Sequence, residues 1–132
     1  MRRSEQRREA VFALYRAGVL AKPQTELPAN ARGFSRELVA GVEEHRDEID
    51  ATISRLARGW DIRRIAPLDL NIMRVAIYEM LYRDDIPVEV AIDEAVNLAR
   101  EYCGADAPGF INGVLGSVAK ELPATTGEEK AQ

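Results

Sequence analysis

The chain has 132 residues, 46% of them hydrophobic, enough for one folded domain with a core of its own and too short for two. A formal net charge of −4 excludes a generally basic nucleic-acid binder, so any such contact must come from a local patch. The single cysteine, Cys103, excludes an internal disulfide and a paired-cysteine zinc or redox site, which fits a reducing cytoplasm.

From Ser4 to Leu20, Val11, Leu14, Tyr15 and Gly18 recur at helical spacing and predict the buried face of a first helix. Residues 22–32 carry two prolines among polar residues and predict a surface loop. Phe34, Leu38 and Val42 mark a second helix. From Arg46 to Trp60, the residues Ile49, Ile53, Leu56, Ala57 and Trp60 predict the inner face of a third, with Gly59 just before its end. After Pro67, the run LDLNIMRVAIYEMLYR is apolar nearly all round, the pattern of a helix buried between others. Its polar residues Asp69, Asn71, Arg74 and Glu79 must point outward or pair inside, because an unpaired buried charge is costly. Pro87 opens a fifth helix with a stripe of Val88, Ala91, Ile92, Ala95, Leu98, Ala99 and Tyr102, which Gly104 ends. Pro108 opens the last helix, buried through Ile111, Val114, Leu115 and Val118. The fold class is all-α, one helical domain over 1–122 with a polar, disordered tail at 123–132. No apolar window approaches the roughly eighteen residues of a membrane span, and the basic start lacks the apolar stretch of a signal peptide.

Catalytic groups are scarce. His45 is the only histidine and lies in the charged run EEHRDE, which predicts a solvated helix surface. Cys103 has no histidine nearby in sequence to act as a base, and beside an apolar stripe it reads as core filling. No phosphate-binding loop, zinc-protease motif or nucleophile elbow is present, so neither an enzyme nor a cofactor or metal site is expected. The basic cluster Arg2, Arg3, Arg7 and Arg8 has two readings: an arginine-rich nucleic-acid arm, since guanidinium forks match phosphate, or a solubilising terminus diluted by Glu5 and Glu9. Phe110, crowded with Asn112 and Gly113 at the start of the last helix, either staples that helix to the core or stacks an unpaired base. Tyr15 carries the same choice, and Asp106 either caps the helix or accepts a hydrogen bond from a base or ribose.

A series of segments then follows in order: REAV and ALY within 8–15, LVAG at 38–41, IDATI at 49–53, Trp60, RVAIYE at 74–79, IPVEVAIDEAVNLA at 86–99 and FINGVL at 110–115. Together they resemble the NusB family of bacterial transcription antitermination factors, from about Arg3 to Leu122. The resemblance implies two perpendicular three-helix bundles without catalytic activity. It implies binding of boxA RNA together with NusE, a small-subunit ribosomal protein, in a complex that lets RNA polymerase read through terminators, notably on ribosomal RNA operons. Carried over by position, the RNA contacts are Arg2, Arg3, Arg7, Arg8, Tyr15, Asp106 and Phe110, and the NusE-facing residues are Arg74 and Glu79. For those last two, an internal ion pair is the competing reading. For the whole chain, the competitor is a protein-interaction module or homodimer without RNA affinity. Two departures from the family pattern remove positive charge: the basic arm is interrupted at Ser4, Glu5 and Gln6, and Gly109 stands where a basic residue commonly precedes the motif phenylalanine. Weak RNA binding by the isolated protein is therefore expected, with NusE adding surface.

Overall fold

The computed structural model describes residues 2–123; most of the tail expected at 123–132 lies outside them. Six α-helices occur, α1 (Arg3–Val19), α2 (Gly33–Glu44), α3 (Arg46–Leu56), α4 (Pro67–Tyr82), α5 (Val88–Tyr102) and α6 (Ala107–Glu121), with one 3₁₀ turn at Ile62–Arg64. No strand forms among the described residues, in keeping with the all-α expectation.

Helix α4 touches all five other helices. Its apolar circumference explains this position: Ile72, Met73, Val75, Ala76, Ile77 and Met80 are all buried, so every side of the helix needs a neighbour. The α1–α2 pair packs against it, as does the α5–α6 pair, and α3 touches both α4 and α6. Pro67 sits in the first turn of α4, where its missing N–H is no loss, and Pro108 does the same for α6. The α6 face is buried as its spacing predicts, through Ile111, Val114, Leu115 and Val118.

Three expectations shift. The buried face of α1 is Ala10, Val11, Ala13, Leu14 and Ala17, so Tyr15 is half-buried and Gly18 exposed. Helix α3 stops at Leu56 rather than Trp60: Gly59 takes φ +80°, open to glycine without a Cβ penalty, and turns the chain so that Trp60 leaves the helix face and is 54% exposed. Tyr102, expected on the inner stripe of α5, is exposed at its C-terminal end. One glycine allows a close approach between helices. A Cβ on Gly41 of α2 would overlap the Tyr78 ring of α4.

Candidate nucleic-acid interface

The four N-terminal arginines separate according to helix phase. Arg7 lies one turn before Val11 on the inner face of α1 and is buried, with Nε and Nη2 each 2.8 Å from Oε1 of Glu79 on α4. Glu94 of α5 adds a second carboxylate 3.7 Å from Arg7 Nη1. Arg3, half exposed, reaches Asp85 in the α4–α5 loop at 3.4 Å and lies 4.4 Å from the centroid of the Phe34 ring. Arg7 and Arg83 approach the same ring at 5.2 and 5.4 Å. Arg83 bonds both Asp85 and Glu37, and its hydrogen bond holds the Asp85 carboxyl down at about 2. Arg2 and Arg8 are exposed and make no ion pair among the described residues. Arg7 thus drops out as a phosphate contact, because its guanidinium is already committed inside the fold.

One turn beyond Arg8 begins an aromatic surface that the sequence did not reveal. Phe12 packs edge-on against Tyr15 at 6.4 Å and against Tyr102 of α5 at 5.0 Å. Arg8, Phe12 and Tyr15 share a helix face at spacings of four and three residues, so a free cation and an accessible aromatic group lie side by side. Tyr15 therefore belongs to this cluster and not to the buried face of α1. The missed signal was the Phe12–Tyr15 spacing; the Tyr102 contact joins residues too far apart in sequence to be read from local pattern.

Phe110 and Asp106 come together at the start of α6. They line a cleft of about 220 Å³ with Trp60, Arg64, Ile65, Ala66, Asp69 and Ala107. The Phe110 ring lies 5.5 Å from Trp60 at 57° and packs partly against the core. Asp106 is exposed and its side chain does not cap the helix. Tyr102, which ends α5 and belongs to the aromatic surface, precedes Asp106 by four positions, at most about 15 Å of chain. Between them, burial first and then the neighbouring Asp69 carboxylate push the Cys103 thiol up to about 12.

The two residues assigned to a partner surface are internal to the fold. Glu79 is 1% exposed and paired with Arg7; burial raises its carboxyl above the ordinary value against the opposing pull of that guanidinium. Arg74 forks onto both oxygens of Asp50 at 2.8 Å and reaches Asn71 at 3.1 Å. Each pairs inside, though with a different helix, and neither offers free charge to a second protein. His45 is likewise not a solvated surface residue: it stacks on Tyr82 at 3.8 Å and 12°. No group of three or more metal-ligating side chains occurs among the described residues, and no helix there is long and apolar enough to cross a membrane.

Comparison with known proteins places this geometry in a lineage. The chain is 48% identical over 107 residues to the transcription antitermination protein NusB of Acetivibrio thermocellus, covering 80% of this chain and 74% of that protein. The structure of T. maritima NusB superposes with a TM-score of 0.86 at 31% identity, over 99% of this chain and 97% of that one. The NusB chain fold also recurs, at a TM-score of 0.77 and 22% identity, in a crystal structure of antitermination factors NusB and NusE with double-stranded RNA, over 92% of this chain and 100% of that one. Residues 2–120 match the NusB family, and the chain belongs to it.

Proposed function

We propose that the chain is a non-enzymatic, cytoplasmic, RNA-binding transcription antitermination factor. It holds boxA RNA and NusE against RNA polymerase and so promotes read-through, notably on ribosomal RNA operons. The observation that carries this reading is the pair of exposed arginines, Arg2 and Arg8, which make no ion pair among the described residues and lie beside the Phe12–Tyr15–Tyr102 surface. Cations that follow a backbone beside aromatics that stack bases are what single-stranded nucleic acid requires. The resemblance to the NusB family points to boxA and NusE as the specific partners, and a similar chain occurs in a structure of NusB and NusE with double-stranded RNA. The contact set is Arg2, Arg3, Arg8, Tyr15, Asp106 and Phe110, extended by Phe12 and Tyr102. Arg3 joins it by exchanging Asp85 for a phosphate, an exchange open to a half-exposed ion pair and closed to buried Arg7.

The test is a boxA titration with and without NusE at several salt concentrations. Three phosphate contacts predict a log K against log salt slope of about −2 for single-stranded RNA, with tighter binding when NusE is present. A flat slope removes the arginine arm from the interface. Binding to NusE with none to boxA under any condition would establish a protein-interaction module instead.

A further inference from the structure

The segment 57–65 enters the interface from outside every motif that pointed to RNA. Trp60 is 54% exposed, and an exposed tryptophan ring leaning on the partly buried Phe110 is not explained by core packing. We propose that the Trp60–Phe110 cleft receives one unpaired RNA base, stacked on Trp60, with Arg64 on the adjoining phosphate and Asp106 reading a hydrogen-bond-donor edge, which favours guanine. This rests on the RNA-binding reading above and adds a second contact element to it.

Size and chemistry agree on the occupant. A cleft of about 220 Å³ is smaller than the usual pocket for a whole small-molecule ligand, of roughly 300 Å³ or more, and suits a single planar ring. Every base has a π-face, so an aromatic wall takes any of them, and the edge decides among them. Asp106 lines the cleft, is exposed, caps nothing and makes no ion pair among the described residues, so its carboxylate is open to a ligand. Guanine offers N1–H and the N2 amino group side by side to the two oxygens of a carboxylate. Adenine and cytosine place an acceptor nitrogen beside their amino group, and uracil sets one N–H between two carbonyls, so each meets the carboxylate with repulsion.

Charge complementarity distinguishes RNA from a peptide. Arg58 and Arg64 flank Trp60, are exposed, and have no ion pair among the described residues, while the nearby Arg63 is neutralised by Asp61 at 2.7 Å. Arg64 lines the cleft itself, and Arg58 adds a second cation on the segment that presents its aromatic wall. The apolar floor is confined to Ile65, Ala66 and Ala107, too small for the anchor cluster of a protein interface.

Trp60 is the only tryptophan of the chain, so its emission reports on the cleft directly. The full chain is titrated with boxA RNA, and with oligouridylates carrying one central guanosine or adenosine, following tryptophan emission and the anisotropy of end-labelled RNA in parallel. The expected result is quenching that saturates with the anisotropy and tighter binding of the guanosine oligomer. Trp60→Leu should weaken boxA binding by about 5- to 150-fold, the range of one lost base stack, with an unchanged thermal melt. Arg64→Gln should make the salt slope shallower by about 0.7, one single-strand phosphate contact, and Asp106→Asn should abolish the guanosine preference. RNA binding by anisotropy with unchanged Trp60 emission overturns the cleft and leaves the RNA reading intact. Equal affinity for the two oligomers overturns the edge assignment. No anisotropy change with boxA RNA, with NusE present or absent, overturns the RNA reading itself. Loss of NusE affinity in Trp60→Leu with boxA affinity unaltered assigns the cleft to protein and overturns the proposal.

Discussion

Replacing Arg7 separates its two competing roles most sharply. If Arg7 were a phosphate contact, Arg7→Met would weaken RNA binding and leave the fold intact. The structure demands the reverse. The Arg7 and Glu79 side chains are 5% and 1% exposed, and two guanidinium nitrogens converge on one carboxylate oxygen at 2.8 Å. Removing the cation strands a carboxylate in the core, which costs about 3–5 kcal/mol, a large part of the 5–15 kcal/mol that typically holds a domain together. Glu79→Leu should cost less, because Arg7 keeps Glu94 at 3.7 Å as a second partner. The double variant Arg7→Met with Glu79→Leu should return to within about 1 kcal/mol of the parent, since two apolar side chains then fill the same space. Urea unfolding followed by circular dichroism at pH 7 measures all three. An acid series adds a sign. Burial already lifts the Glu79 carboxyl above its ordinary value, so the stability this group contributes is present at low pH and lost as pH rises through the lifted value. In Arg7→Met the opposing cation is gone, so the stability loss should shrink on going from pH 7 to pH 5. A loss below about 1 kcal/mol in Arg7→Met, together with weaker boxA binding, would refute the burial argument and return Arg7 to the RNA face.

Other positions give independent checks. Gly41→Ala places a methyl group inside the Tyr78 ring, itself stacked with His45 and Tyr82, and should destabilise by about 1–3 kcal/mol in thermal melts; an unchanged melt would mean that the ring moves freely. The Asp85 carboxyl is held at about 2 by its hydrogen bond from Arg83, below its ordinary 3.8, so it contributes stability above that ordinary value and loses it as pH falls from 3.8 towards 2. Asp85→Asn should therefore be less sensitive to acid than the parent across that window, and parallel acid-unfolding curves would contradict the pairing. With its thiol pushed up to about 12, first by burial, Cys103 should resist iodoacetamide at pH 8 in the folded chain and react once unfolded in urea; equal rates would refute its partial burial.

Helix identity was legible wherever burial wrote itself into composition or period. Helix α4 could be recognised because burial on all sides excludes polar residues from nearly every position, and α6 because its four inner residues fall on one stripe. The division among the arginines had a readable signal as well. Arg7, Val11 and Leu14 lie at i, i+4 and i+7, so the phase of the buried stripe already contained Arg7, and four like charges in a cluster obscured it. Trp60 was not legible in this way, since continuing the period of α3 puts it on the inner face, whereas the backbone leaves the helix at Ala57 and turns again at the positive φ of Gly59. Phe12 and Tyr102 meet through the packing of α1 beside α5, and no local pattern encodes that contact. The internal pairing of Arg74 and Glu79 was hidden for a related reason: the carboxylate and guanidinium that satisfy them come from other helices.

The pairing of Arg3 and Arg7 leaves an arm that is well oriented and poorly charged. Two guanidiniums fasten the start of α1 to α4 and the α4–α5 loop, and two, on Arg2 and Arg8, make no ion pair among the described residues. Orientation then contributes specificity while the electrostatic term stays small, which agrees with the proposal that NusE adds RNA-binding surface. The same reasoning says what a single added charge should do. Gly109 is exposed in the first turn of α6, immediately before Phe110, and a Cβ there meets no atom within 4 Å. Gly109→Lys is thus sterically open. Its gain in helix propensity, somewhat under 1 kcal/mol, is offset by a cation at the positive end of the helix dipole, which costs about 0.3–1 kcal/mol, so the fold should be nearly unchanged in stability. If RNA passes over the start of α6, the lysine adds one phosphate contact, and the log K against log salt slope should steepen by about 0.7 with tighter boxA binding at low salt. An unchanged slope in a normally folded variant would mean that the RNA path stops at the Phe12–Tyr15–Tyr102 surface and never reaches Phe110.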